Sequence, residues 1–221
     1  MNSSHSRSYI PGLKYHFLTR YYDLVVSLTT REKLFKTLLV KKIAPTSRQR
    51  LLDVGCGTGT LTQMLAKRGS DVSITGLDAD LNALKQAKAK LVTMSKRVTF
   101  EQGFGQELPF ETASFDAVVS SLFFHHLDRQ QKLKVLKEIR RVLKSGGQLH
   151  IADWGEPTSI FQRLLFLIVQ SLDGFHTTQD SVDGILPSII EEAGFSKIEN
   201  WKSIATSLGT IRLYQATAAK N

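Results

Sequence analysis

The chain has 221 residues, with 29 Lys and Arg against 20 Asp and Glu, and carries a formal net charge of +9. Hydrophobic residues make up 42% and charged residues 22%, a balance that allows a sizeable core and excludes fibrous, low-complexity and collagen-like classes. The only cysteine, Cys56, excludes an intramolecular disulfide or a cysteine-rich zinc site and fits a reducing compartment.

In chain order, residues 17–43 have an apolar stripe of Leu24, Leu28, Leu34, Leu38 and Leu39 that predicts helix, with Thr29 and Thr30 as a cap between two helices. Leu51 to Val54 is a short apolar run that stops at glycines, as a buried parallel strand does. Alternating patterns then predict helices at 59–68, 80–91 and 129–143, and strands at 72–78, 97–101, 115–121 and 147–153. The pair Gly146-Gly147 reads as a helix stop followed by a strand start. Beyond it, Ile160 to Leu172 is apolar almost all round, Ile185 to Ala193 is a helix closed by Gly194, and strands at 196–204 and 211–218 can form a hairpin. No internal repeat or linker divides the chain, so one domain over residues 1–221 is expected.

Met1 to Tyr15 is polar and weakly basic with no apolar signal-peptide centre, and no stretch reaches the ~20 apolar residues of a membrane span, which predicts a cytoplasmic protein. The basic residues are dispersed, as in Lys85, Lys88, Lys90, Lys96 and Arg97, or Lys132, Lys134, Lys137, Arg140, Arg141 and Lys144, and read as solvated helix faces. No nucleic-acid partner is expected, because no aromatic and basic recognition module is present. A basic surface leaves room for peripheral contact with an anionic membrane.

The most informative string is Asp53-Val54-Gly55-Cys56-Gly57-Thr58-Gly59. Alternating glycines after a strand let the backbone approach a ligand closely, and the next helix offers unpaired N–H groups. Asp78, closing the second strand, is suited to accept the hydroxyl hydrogens of a ribose. The dinucleotide fingerprint fails at Thr60, where it requires glycine, which disfavours a nicotinamide oxidoreductase.

The D-x-G-x-G-x-G pattern resembles motif I of the class I S-adenosylmethionine-dependent methyltransferases. The resemblance continues through Gly103 to Phe110, Ser114 to Val119 and Leu143 to Gly147, and covers roughly residues 20–220. Tyr21-Tyr22-Asp23, Leu108-Pro109-Phe110 and Gly209 to Tyr214 are similar to the ubiquinone/menaquinone-biosynthesis C-methyltransferases and related phospholipid N-methyltransferases. The resemblance implies an α/β fold with a doubly wound, mostly parallel seven-stranded sheet, an antiparallel C-terminal hairpin, helices on both faces and a helical N-terminal segment. It implies S-adenosylmethionine as cofactor, with S-adenosylhomocysteine as product. Asp53, Gly55, Cys56, Gly57 and Gly59 would then flank the methionine moiety, Asp78 would hold the ribose, and Ala79, Gly103 and Phe104 would border the adenine. Ser120 would lie near the cofactor on the substrate side. Many members have an acidic residue and alanine where this chain has Gly103-Phe104, which shifts adenine recognition to the backbone or to Gln102.

The expected reaction is methyl transfer to a small or lipid-like acceptor, such as a quinone precursor or a phospholipid head group; the alternative is a cofactor-binding protein without turnover. A base is needed only if the acceptor must lose a proton. His125 and His126 are the first candidates, since they follow the fourth strand at the rim where open α/β sheets bind ligands, although histidines after Leu122-Phe123-Phe124 serve equally as core hydrogen-bonders. Asp153 beside Trp154 either orients substrate or satisfies a loop, and His176 and Tyr22 are further candidates. No metal ligands are expected. Residues 1–45 read as a helical lid and 155–190 as a helical acceptor-side insertion, whose apolar part from Phe161 to Val169 can line a pocket, rest on a membrane, meet a second subunit or pack in the core. A monomer or a homodimer is compatible with this reading.

Overall fold

The computed structural model describes residues 30–69 and 71–219. Seven strands form one sheet in the order β3-β2-β1-β4-β5-β7-β6. They are β1 (Arg50–Val54), β2 (Ser73–Asp78), β3 (Val98–Gln102), β4 (Phe115–Ser121), β5 (Leu143–Gly155), β6 (Phe195–Ala205) and β7 (Thr210–Ala218). The first five pair in parallel, whereas β7 inserts antiparallel between β5 and β6. The order reverses between β1 and β4, the switch point at which ligands bind in doubly wound folds.

Side chains on the strands alternate between two cores. Leu51 and Ile74 join Phe35, Leu39, Leu61, Leu65 and Leu84 from helices α1 (Glu32–Ile43), α2 (Thr60–Arg68) and α3 (Leu81–Lys90). Leu52, Val54 and Val118 face Leu136, Ile139 and Ile189 from α4 (Arg129–Val142) and α7 (Leu186–Glu192). Asp80 caps α3 by accepting from Asn82 and Ala83 N–H, and Asp128 and Gln131 form a reciprocal capping box on α4.

Several boundaries differ from expectation. Of the predicted helix 17–43, α1 is the described part, residues 17–29 lie outside the described residues, and left-handed Arg31 rather than a threonine precedes it. The chain is already extended at Leu143, which pairs with Phe115, so Gly146-Gly147 lies inside β5, where the register shifts. Strand pairing with β4 overrides the glycine stop signal there. At its other end β5 runs on to Gly155, because Trp154 and Gly155 pair with Ile211 and Thr210.

The stretch between β5 and β6 folds into α5 (Ile160–Asp173), α6 (Phe175–Val182) and α7, of which α6 has no counterpart among the predicted elements. Phe166 and Val169 of α5 enter the core against Trp154, and Gln162 accepts from Thr210 at 2.8 Å, seating the helix on the final hairpin. The opposite face leaves Ile160, Phe161, Leu164, Leu167, Ile168 and Leu172 exposed, so the nearly all-apolar helix is only half covered. Among the described residues no helix is long and apolar enough to cross a membrane.

α6 is held by a sequestered ion pair: Lys132 Nζ on α4 donates to Asp180 Oδ2 at 2.8 Å and to the Thr177 carbonyl at 2.9 Å. Removing one member of such a pair strands the other away from water. Lys132→Met is expected to lower stability by roughly 2 kcal/mol in urea unfolding, and adding Asp180→Leu to restore most of that loss. Equal loss in the single and double variants would show that the pair is not what docks α6.

Candidate active site

The turn after β1 is built around glycine. Gly55 has φ 71°, and a Cβ placed on it would fall 2.5 Å from the ring of Phe123, so that ring occupies the space glycine leaves free. Gly57 has φ 52° and nothing within 4 Å of the corresponding position, so the backbone there borders open space. Gly59, also left-handed, immediately precedes α2. The turn is clamped to β2 by the Gly55 and Cys56 N–H groups, which donate to the Leu77 carbonyl at 2.9 and 3.0 Å. Burial, followed by the charges of Asp53 and Asp78, pushes the Cys56 thiol up and keeps it protonated.

Two carboxylates bracket this turn. Asp53 is fully buried; its Oδ2 accepts from the Thr62 hydroxyl at 2.6 Å, and its Oδ1 has no hydrogen-bond partner among the described residues. Half-buried Asp78 accepts from Gly57 N–H at 2.8 Å and Asp80 N–H at 2.9 Å, and desolvation outweighs these bonds to raise its pKa. Gly103 N–H donates to the Asp78 carbonyl, and the Gln102 amide reaches the Ala79 carbonyl at 3.2 Å. Ala79, Gly103 and Phe104 therefore share the edge beyond Asp78, where Phe104 is exposed.

On the other side of the switch point, the Ser120 hydroxyl donates to the Val54 carbonyl at 2.8 Å and ties β4 to β1. The chain then turns through Leu122, in the left-handed region at φ 53°, into one tight helical turn, Phe124–His126. Asp153, 1% exposed at the end of β5, accepts from the N–H groups of Phe123, Phe124 and Trp154 and is 2.7 Å from His125 Nδ1. Burial alone would raise its pKa, but His125 and the backbone donors hold it below the ordinary value.

Burial works against charge on His125, yet Asp153 and then Asp173 prevail and raise its pKa. His126, its ring tilted against that of His125 with centroids 3.9 Å apart, is pushed down to about 3 by desolvation and by the charge of His125. The sheet thus gathers Asp53, the glycines, Asp78, Ala79, Gly103 and Phe104 along one rim, and His125, His126 and Asp153 along the adjoining one. His176 is exposed on α6, and Tyr22 lies outside the described residues. Asp173 and Thr62 are absent from the sequence candidates. Thr62 sits in the first turn of α2, close enough in sequence to have been read as a partner for Asp53, whereas no local signal marks Asp173.

A switch-point site with a glycine turn and a carboxylate closing the second strand is that of a nucleotide-cofactor enzyme. The family pattern described as "Methyltransferase domain" matches residues 51–147. An uncharacterized methyltransferase of Synechocystis is 30% identical over 203 residues, 90% of this chain and 92% of that protein. The ubiquinone/menaquinone biosynthesis C-methyltransferase UbiE of Geobacter is 32% identical over 197 residues, 85% of this chain and 82% of that one. In fold, the chain matches the crystal structure of YcgJ from Bacillus with a TM-score of 0.70 at 15% identity, over 84% of this chain and 98% of that one. The chain belongs to the class I S-adenosylmethionine-dependent methyltransferases. It is an enzyme of that class, with S-adenosylmethionine as its cofactor.

Desolvation lifts Asp53 from 3.8 to about 6, against the Thr62 hydrogen bond, so the folded protein holds this proton more tightly than the unfolded chain. Its contribution favours the fold below about pH 4 and is lost as the pH rises through about 6. Asp53→Asn keeps an acceptor for Thr62 and is expected to stabilise the cofactor-free protein by on the order of 2 kcal/mol above about pH 7, with little effect below about pH 4. Urea unfolding at the two pH values checks this, and a pH-independent difference would remove the burial argument.

Proposed function

We propose that the enzyme methylates a lipid-like aromatic acceptor of the quinol type. The observation that carries this reading is the apolar face of α5, which runs from Ile160 to Leu172 and ends at Asp173, 3.8 Å from His125. Such an arrangement suits a molecule with a polar ring at the rim and an apolar tail along the helix. The identity with a ubiquinone/menaquinone biosynthesis C-methyltransferase supports it. Residues 155–190 are then the acceptor-side insertion.

In this reading, Asp53 and the turn Gly55-Cys56-Gly57-Thr58-Gly59 flank the methionine moiety, Asp78 holds the ribose, and Ala79, Gly103 and Phe104 border the adenine. Gly57, with open space in front of it, sits where the cofactor comes nearest to backbone. Ser120 acts from behind by fixing β4 to β1. The sulfonium is already an activated leaving group, so alignment of the acceptor carbon with the methyl supplies much of the rate. Asp153 and His125 are positioning residues that hold the rim turn, and His126 is the polar side chain that meets the acceptor oxygen.

Asp78→Ala is expected to weaken S-adenosylmethionine binding about tenfold or more in calorimetry, and unchanged affinity would remove the ribose assignment. The acceptor is tested by incubating the enzyme with methyl-labelled cofactor and either a polyprenylated quinol lacking the ring methyl or phosphoethanolamine. Label in the extracted quinol is the expected result, and label in phosphoethanolamine alone would overturn the lipid-like reading.

A further inference from the structure

Side chains from three segments far apart in sequence converge at the turn after β4. The bond from His125 Nδ1 to Asp153, at 2.7 Å, is satisfied by the tautomer with its proton on Nδ1, which leaves the Nε2 lone pair free. Nε2 faces Asp173 Oδ2 at 3.8 Å. That is too long for a hydrogen bond and a few tenths of an ångström wider than the roughly 3.3–3.6 Å between two ligands of a tetrahedral ion with bonds of about 2.0–2.2 Å. The His126 ring lies against His125, tilted by 47°, and one donor atom from each of His125, His126 and Asp173 lies within 4.8 Å of the others.

The Asp173 side chain is only 5% exposed, yet it takes no hydrogen bond from any described residue. The His125 ring is the positive partner that faces it, and an ion held between the two side chains would take over that role. The nearby ammonium of Lys132 is already matched by Asp180.

We propose that His125, His126 and Asp173 bind a divalent first-row transition-metal ion, with Asp153 orienting the His125 imidazole from behind. Two imidazoles and one carboxylate favour ions of the Zn2+, Co2+ and Fe2+ type over Mg2+ or Ca2+, which prefer all-oxygen ligands. The carboxylate–histidine–ion relay from Asp153 is the usual outer support of such a ligand. Three protein ligands leave a position for water or for an acceptor oxygen, so an ion here would meet the acceptor in place of the His126 ring.

The test is a titration of chelator-treated, full-length protein with Co2+, followed by visible absorption and then by displacement with Zn2+, without cofactor or acceptor present. One equivalent of Co2+ is expected to give a ligand-field band, with affinity falling about tenfold or more in His126→Ala and in Asp173→Asn. Thermal melts in metal-free buffer identify folded variants, and if His126→Ala does not fold, Asp173→Asn alone decides. Absence of the band in the wild type, or equal affinity in the folded variants, overturns the site. Because ion binding is read without turnover, that failure leaves the methyl-transfer reading untouched, and failure of the quinol assay leaves the ion site untouched.

Discussion

The turn after β4 depends on one carboxylate. Asp153 gathers three backbone N–H groups and an imidazole around its two oxygens, and so fastens the turn after β4 to the end of β5. These are charge-assisted bonds in a site closed to water, where each is worth more than at a surface and the loss of any leaves a polar group unmatched. Phe123 extends the fastening to the other half of the site, because its ring fills the hollow left by Gly55. The strained backbone at Leu122 persists because both anchors hold the turn around it.

The two halves of the rim are built by different physics. The half around Gly55–Gly59 is largely backbone: a glycine turn, carbonyls closing on N–H groups, and a carboxylate whose bonds are local. The half around His125 is side chains from distant segments, with buried charges that compensate one another. A rigid backbone cradle suits a cofactor that does not vary, while a side-chain lining can be altered without unpicking the sheet.

That contrast explains what could be read from the sequence. The strand, the glycine turn, Asp78 and the alternation of strands and helices are signals within short windows, and the structure reproduces them with small shifts at their ends. The Gly146-Gly147 stop was misleading because pairing between Leu143 and Phe115 outweighs a local preference. Periodicity could not assign a buried face to Ile160–Leu172, since nearly every position is apolar; Gln162 and Thr210 choose the face through a hydrogen bond across the fold. Asp173 carries no local mark, and its encounter with His125 exists only once α5 has been seated. The helix Phe175–Val182 is polar and short, and it owes its place to Lys132 rather than to its own pattern.

The seat of α5 has a consequence for how the enzyme is made. Its supports include Thr210, Ile211 and the close approach of Gly209 to Phe166, all in the final hairpin, whereas the cofactor turn and its carboxylates are encoded between residues 53 and 105. A chain emerging from the ribosome therefore exposes the glycine turn long before the strand that seats α5, which inserts between β5 and β6. The antiparallel insertion of β7 therefore joins the early-made part of the sheet to the helix that is seated last.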